Sequence, residues 1–523
     1  MKQIINRIWT VLLAFVCVAS SVSAVEKGKS PRPNILLIVM DDLGYADVGF
    51  MPNAAKDIYT PNIDKLAEGG TIFTSAYVTH PYCGPSRTGL MTGRMPHVFG
   101  AQFNLAAFSG YGVASGELFM SDVLQSAGYH TGIVGKWHLG EEGEFHPNER
   151  GFDYFYGFLG GGHEYHSRTW LPAKTYNPEG YQPGAYGMDY NRPMMKNKTY
   201  LETGKDKYVT DVLTDATLEF IDESSEKEKP FFLYLSYNAP HTPLQAKQSD
   251  IAEIQQKLGK DAAQKGSKRL TYTAMMYNVD YNIQRIVEKL EEKGELENTM
   301  IVFISDNGGK TPAGANNQPL KGRKGDAYEG GFRVPMFVYY PNSKMKKGDV
   351  NTHNFSALDF FPTFAAIAGA DIPKDKILDG KNVWKSIENN TDPRKDESVY
   401  VLRHYFRIPR NGNVNPSNIQ KFNDLNKVGV VRNNFKLYSN GDGEWKLFDL
   451  STDIGETKNI AAKHPELVKD MKATVNEWTY TWEDKRPEFF DAPHYNFEAN
   501  WNKFNMPNFE KTFGEMHLDK KSK

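Results

Sequence analysis

Cys83 opens the run Cys83-Gly84-Pro85-Ser86-Arg87-Thr88-Gly89-Leu90-Met91-Thr92-Gly93-Arg94, in which a potential nucleophile is followed closely by a proline and two arginines. The chain has two cysteines, and Cys17 lies in an apolar N-terminal segment, so Cys83 has no disulfide partner once that segment is removed. A lone cysteine is commonly an inert core residue. Here Pro85 and Ser86 suit the first turn of a helix, which puts Cys83 at the positive end of a helix dipole, where a bound anion is stabilised. A second set of candidates carries oxygen donors. Asp41-Asp42 follows the apolar run Asn34 to Met40, and Asp306-Asn307 follows Met300 to Ser305. Carboxylates just past the C-terminal ends of buried strands stand where open α/β sheets place their sites. Three carboxylates and an amide, with no His or Cys among them, fit calcium or magnesium better than zinc, and calcium best tolerates irregular geometry. Lys136 and His138 follow a third strand, and His241 stands between Pro240 and Pro243 after a fourth, where the prolines restrict the backbone that aims its ring.

Taken together these blocks have a family likeness. Cys83 to Arg87 reads C-x-P-S-R, and with the residues through Arg94 it resembles the signature of the formylglycine-dependent, type I sulfatases of the alkaline phosphatase superfamily. Gly135-Lys136-Trp137-His138-Leu139-Gly140, Pro240-His241-Thr242-Pro243, Ser305-Asp306-Asn307-Gly308 and Glu329-Gly330-Gly331-Phe332-Arg333-Val334-Pro335 resemble further blocks of that family, so the likeness extends over most of the chain. The resemblance implies that a maturation enzyme oxidises Cys83 to formylglycine (3-oxoalanine), and that the hydrated aldehyde is the nucleophile, held by Arg87 and a calcium ion. It also implies calcium ligands at Asp41, Asp42, Asp306 and Asn307, contacts to formylglycine and sulfate from Lys136 and His138, and sulfate binding by Lys324. His138 would be the base that releases sulfate, and His241 the acid on the leaving alkoxide, assisted by Lys324. Lys321 stands where relatives often carry Arg, which leaves its role open.

The elements that must position these residues follow from apolar runs and turn residues. Asn34 to Met40, Thr71 to Val78, Tyr129 to Val134, Pro230 to Tyr237, Met300 to Ser305 and Val334 to Tyr340 read as strands, the longest apolar runs being buried on both faces of a parallel sheet. Helices are expected at Ile63 to Gly69, after Cys83, at Glu117 to Ala127, along the stripe Met276, Val279, Ile283, Ile286, Val287 and Leu290, and at Ser356 to Ala368. Gln245 to Lys268 reads as a solvated polar segment. The fold expected is α/β, a large central, mostly parallel sheet flanked by helices and alkaline-phosphatase-like by resemblance, with a smaller C-terminal subdomain. That subdomain would hold antiparallel strands near Ser398 to Leu402, Lys427 to Arg432, Phe435 to Tyr438 and Trp445 to Phe448, then a helix at Pro465 to Trp478 and an irregular tail from Thr481. The domain boundaries expected are 1–24, 25–390 and 391–523.

Residues 1–24 have basic Lys2 and Arg7, an apolar run from Ile8 to Val18 and a small-residue site at Val22-Ser23-Ala24, the layout of an export signal that leaves Val25 as the mature start. No later segment reads as an integral membrane span, so a periplasmic or extracellular protein is expected. Asn197, Asn354 and Asn389 begin glycosylation sequons, which in a bacterial chain would mean little. With 62 Lys and Arg against 64 Asp and Glu, no global charge calls for nucleic acid, and affinity for an anionic substrate has to be local. The Gly- and Tyr-rich stretch from Glu141 to about Tyr200 reads as a substrate-facing insertion, with His163, His166 and Arg168 as candidate sugar and anion contacts. The function expected is desulfation of sulfated carbohydrates. The alternatives are a phosphonate or phosphodiester hydrolase of the same superfamily and, from another class, a sulfated-glycan binding protein.

Overall fold

Asn34–Met40 forms the first strand, β1, with every residue buried, and its alternation sorts the core into two layers. Ile35, Leu37 and Val39 pack with Phe232, Tyr234, Val302 and Ile304 on one face, while Leu36, Ile38 and Met40 pack with Leu233, Leu235, Ile301 and Phe303 on the other. This is why β1 reads as a continuous apolar run: neither face meets water. The computed structural model describes residues 32–99, 101–102, 104–105, 112–141, 143–178, 189–403, 423–424 and 426–484. The expected export signal, Cys17 and the tail beyond 484 lie outside the described residues.

The other strands are β2 (Thr71–Tyr77), β3 (His130–Lys136), β4 (Tyr154–Phe158), β5 (Met195–Lys196), β6 (Thr199–Tyr200), β7 (Phe231–Ser236), β8 (Thr299–Ser305), β9 (Arg333–Tyr339), β10 (Asp349–Asn351) and β11 (Phe355–Ser356). Among the described residues they form an eleven-stranded sheet in the order β10-β2-β9-β8-β1-β7-β3-β4-β5-β6, with β11 also on β2. The centre, β8-β1-β7-β3-β4, is parallel, whereas β9 runs antiparallel to both β8 and β2. Helices on the sheet include α1 (Pro61–Glu68), α2 (Cys83–Thr92), α3 (Met120–Ser126), α4 (Val209–Glu226), α5 (Gln248–Leu258), α6 (Lys268–Glu292) and α7 (Phe360–Ala368). A second sheet, β12 (Ser398–Arg403), β13 (Lys427–Arg432), β14 (Phe435–Asn440) and β15 (Trp445–Asp449), is antiparallel throughout and is followed by α8 (Pro465–Asp484). Its Val401, Val428 and Leu437 share a core with Val302 and Val334 of the large sheet. Among the described residues no helix is long and apolar enough to cross a membrane.

Local chemistry explains where the elements depart from expectation. The solvated segment after Gln245 contains α5, which keeps most of its surface polar and buries Ile254 on one face. The helix expected from Glu117 starts at Met120, because the Asp122 carboxylate accepts the Phe119 N–H at 2.8 Å and closes the N-terminus there. The final helix runs past Trp478 to Asp484, into the beginning of the expected tail.

Register then carries the candidate residues to one edge of the sheet. Met40 pairs with Ser305, Val39 with Ser236, and Gly135 with Ser236, so the next residues of four strands emerge side by side. Helix α2 approaches this edge closely at Gly89, where a Cβ would lie 2.3 Å from Thr79 Oγ1 and 2.8 Å from Thr79 Cβ. Helix propensity alone would favour Gly89→Ala by about 1 kcal/mol. Overpacking against a buried β-branched neighbour costs about 1–3 kcal/mol, so thermal unfolding of Gly89→Ala should show a melting midpoint below that of wild type; a higher midpoint would contradict this packing.

Candidate active site

Asp41 and Asp42 leave β1, and Asp306 and Asn307 leave β8, all of them buried. The backbone ties the two turns together: Asp306 N donates to Met40 O at 2.9 Å, and Asp42 N donates to Asp306 Oδ1 at 3.2 Å. Asp42 adopts the left-handed φ of 64°, which turns its side chain back over the strand ends. Three cationic side chains arrive from elsewhere in the chain. Arg87 of α2 donates to Asp306 Oδ2 through Nε at 2.9 Å and pairs with it through the terminal guanidinium at 2.8 Å. Lys136, the last residue of β3, pairs with Asp41 Oδ2 at 2.7 Å. Lys324 pairs with Asp42 Oδ1 at 2.6 Å and donates to Cys83 Sγ at 3.0 Å.

Cys83 is the first residue of α2, and the next N–H, from Gly84, donates to Asn104 Oδ1 at 3.0 Å. Burial pushes the thiol up, but Lys136 and Lys324 outweigh burial and hold it well below the usual thiol range. Two histidines flank it with opposite biases. Burial and the Lys136 ammonium push His138 down to about 4, against the pull of its hydrogen bond to Cys83. Burial also opposes the charged form of His241, but Asp41 and Asp42 outweigh it and raise its pKa. The His241 Nδ1 faces Thr242 O at 2.6 Å, which leaves Nε2 directed at Asp42 Oδ2, 3.7 Å away.

The donor set fits a hard cation. Asp41 Oδ1, Asp42 Oδ2 and Asn307 Oδ1 are buried oxygens without a hydrogen-bond donor. Asn307 presents its amide nitrogen to Asp42 Oδ1 at 2.8 Å, which leaves the amide oxygen as a free acceptor. Asp41, Asp42, Cys83 and His241 offer ligand atoms all within 4.8 Å of one another. An uncompensated buried oxygen costs about 1–3 kcal/mol, so three of them on the two adjoining turns favour a ligand that carries positive charge.

The structure thus brings together Asp41, Asp42, Cys83, Arg87, Lys136, His138, His241, Asp306, Asn307 and Lys324. The three residues singled out from the insertion are placed differently. His163 is fully buried with its two ring nitrogens on backbone carbonyls, Glu164 O and Arg192 O, each at 2.8 Å, and its ring packs on Trp170. In this position it braces the loop. His166 packs edge-on against Tyr208, and Arg168 is exposed in the short turn Ser167–Thr169. The insertion brings both backbone and side chains to the centre, with the Tyr190 ring 6.4 Å from that of His241. A Cβ at Gly160 would fall 2.1 Å from Asp189 Oδ1, at Gly161 2.9 Å from His138 Nε2, and at Gly162 2.7 Å from Tyr190 Cζ. Tyr165 from the same loop donates to Asn238 O at 2.9 Å and to His241 O at 3.0 Å, bracing the turn that carries His241.

Several residues of the site escape sequence reasoning. Arg87 also donates to Tyr234 OH at 3.1 Å and to Ser236 Oγ, two side chains on one face of β7. Polar residues at alternate positions of an otherwise apolar strand were the available signal. Lys321 lies away from the centre: its ammonium donates to Glu456 O at 3.1 Å and sits 4.3 Å above the Tyr328 ring.

Comparison with known proteins agrees with this geometry. The sulfatase family model matches residues 33–370, and the model described as N-sulphoglucosamine sulphohydrolase, C-terminal, matches residues 324–480. An uncharacterized sulfatase, YdeN, of Escherichia coli is 31% identical over 88% of this chain and 87% of its own. N-acetylgalactosamine-6-sulfatase of Homo sapiens is 31% identical over 69% of this chain and 66% of its own. Among solved structures, Ps i-CgsB in complex with k-i-k-neocarrahexaose is 43% identical, with a TM-score of 0.79 over 92% of this chain and 99% of that one. The chain belongs to the sulfatase family of the alkaline phosphatase superfamily. It is a sulfuric ester hydrolase.

The contact of Gly161 with His138 yields a direct check. In Gly161→Ala the imidazole has to move, and misplacement of a reacting group by about 1 Å costs about 100-fold in rate. Turnover of an aryl sulfate, if the wild type accepts one, should fall on that scale with a near-normal melting midpoint; unchanged turnover would show that His138 does not act from this position.

Proposed function

We propose that this sulfatase removes sulfate from sulfated carbohydrates, with Cys83 converted to formylglycine and a calcium ion held by Asp41, Asp42, Asp306 and Asn307. The observation that carries the chemistry is the setting of Cys83: a helix N-terminus, Lys136 and Lys324 within electrostatic reach, and one histidine on each side whose environments push their protonation apart. Such divergence between two titrating groups marks the assignment of base and acid. The names of the human relative and of the ligand in the Ps i-CgsB structure support a sugar substrate.

Cys83 Sγ stands in for the oxygens of the hydrated aldehyde. With two hydroxyls on one carbon, that group supplies an oxygen that attacks sulfur and a second that expels sulfate afterwards. Lys136 and Lys324 are close enough to that position to offset charge on the sulfuryl oxygens. His241, biased toward its protonated form, donates the proton to the leaving alkoxide. His138, held neutral, takes the proton from the remaining hydroxyl as sulfate departs. The cation would add Lewis-acid charge at the same oxygens. The maturation enzyme that makes formylglycine is the one protein partner the reading requires, and the N-terminal segment is proposed to direct export.

The tryptic peptide Leu66 to Arg87 contains the site. Mass spectrometry of that peptide from active protein should show sulfur replaced by oxygen with loss of two hydrogens. Cys83→Ser retains a single hydroxyl, so steady turnover of sulfate esters should collapse, and the wild type should turn over a sulfate ester in preference to a phosphodiester of the same alcohol. Full activity with an unmodified thiol, or preference for the phosphodiester, would overturn the proposal.

A further inference from the structure

Lys324 reaches Asp42 and Cys83 from the segment Leu320 to Gly331, and that segment is held from two sides. On the side of the large sheet, Lys324 N donates to Gly309 O at 3.2 Å, and Gly325 N donates to Pro81 O at 2.8 Å. On the other side every contact comes from the small C-terminal sheet or the turn after it. Arg403 donates to Gly325 O at 2.6 Å, Lys427 pairs with Asp326 at 3.3 Å, and Tyr438 stacks on Tyr328 with ring centroids 3.8 Å apart. At the root of the segment lies a buried ionic cluster. The Lys436 ammonium of β14 pairs with Glu329 Oε1 at 2.8 Å, while Tyr77 and Arg333 bond Glu329 Oε2 at 2.9 and 3.3 Å. Glu456 Oε2 accepts the Glu329 N–H at 2.8 Å, and its carbonyl accepts Lys321 Nζ at 3.1 Å. Lys321 O in turn accepts the Gly330 N–H at 2.7 Å, closing the segment into a ring.

Lys436, Glu329 and Glu456 are all fully buried, Glu456 Oε1 has no hydrogen-bond partner, and Glu456 has a left-handed φ of 51°. Two buried carboxyl groups therefore share Lys436, with Arg333 on the Glu329 side and Lys321 acting on Glu456. Both cannot remain ionised at little cost, because like charges at this depth repel strongly. Of the pair, Glu329 has three donors and keeps its charge. Burial and the Glu329 carboxylate push Glu456 up to about 8, against the pull of Lys436 and Lys321.

We propose that Lys436 and Glu456 are positioning residues for Lys324: acting through Glu329 and the backbone from Lys321 to Gly330, they set the height of the ammonium over Cys83, with one proton kept on the Glu329–Glu456 pair. The C-terminal sheet is then part of the catalytic apparatus without touching substrate. The inference rests on the role given to Lys324 above, but the proton arm below does not.

A carboxyl group whose folded pKa is raised contributes stability that is present at low pH and lost as pH rises through the folded value. Glu456→Gln keeps the amide oxygen for the Glu329 N–H and cannot ionise. Its melting midpoint should therefore match or exceed wild type near neutrality, and the fall as pH rises from about 5 to about 8 should be smaller than in wild type. Equal falls in the two proteins would overturn the shared proton, whatever the role of Lys324. For the positioning arm, Lys436→Met should lower kcat on a sulfate ester about tenfold or more with a smaller change in KM, as displacement of a reacting group predicts. Tyr438→Leu loosens the same segment without stranding a buried charge and should lower kcat in the same sense, so the arm survives if Lys436→Met does not fold. Folded Lys436→Met or Tyr438→Leu with wild-type kcat would overturn the assignment.

Discussion

Three carboxylates, Asp41, Asp42 and Asp306, are buried at the ends of two adjacent strands, and their mutual repulsion is the constraint on which the site depends. Two unit charges about 4 Å apart interact with about 4 kcal/mol at an effective dielectric of about 20. That is a large part of the total stability of a domain. Each carboxylate is accordingly matched by one cation from a distant part of the chain: Lys136 for Asp41, Lys324 for Asp42 and Arg87 for Asp306. The helix that carries Cys83, the strand that ends in Lys136 and the basic segment around Lys324 are held in place partly by this pairing. Two of these cations, Lys136 and Lys324, also lower the Cys83 thiol.

Matching the charges leaves three buried carboxylate and amide oxygens without donors, and ligand atoms of Asp41 and Asp42 lie within 4.8 Å of Cys83. The site therefore has both an anion-attracting and a cation-attracting side, and this suits the transfer of a sulfuryl group whose oxygens gain charge. Close packing keeps the two sides in register. Gly161 lets the loop lie against His138, and the Tyr165 hydroxyl braces the turn of His241, so both histidines are positioned by the same loop. The C-terminal sheet does the same for Lys324 from the opposite direction.

Most of this centre was legible in the sequence because chemistry and secondary structure coincide there. A run such as Asn34 to Met40 has to be a doubly buried strand, and acids directly after it have to emerge at its C-terminal end. The C-x-P-S-R block, the further family-like blocks and the basic stretch before Glu329 pointed to Cys83, Lys136, His138, His241 and Lys324 without knowledge of which strands pair. What could not be read was long-range. The antiparallel course of β9 depends on sheet order, which no local pattern encodes. The partners of Arg87, Tyr234 and Ser236, lie about 150 residues away, at sequence separations of 147 and 149. In the insertion the sequence draws attention to the histidines, whereas the close approach to His138 is made by Gly161. His163 is typical: its burial is visible only once Trp170 and Phe158 close around it.

The claim that oxygens left unpaired by the carboxylate–cation matching define a hard-cation site is tested most directly by calorimetric titration of Ca2+ into metal-stripped protein, with Asp42→Asn as the comparison. The account predicts about one calcium per chain in the wild type, a higher melting midpoint when it binds, and marked weakening of both in Asp42→Asn. No binding to the wild type, or equal binding to Asp42→Asn, would contradict it.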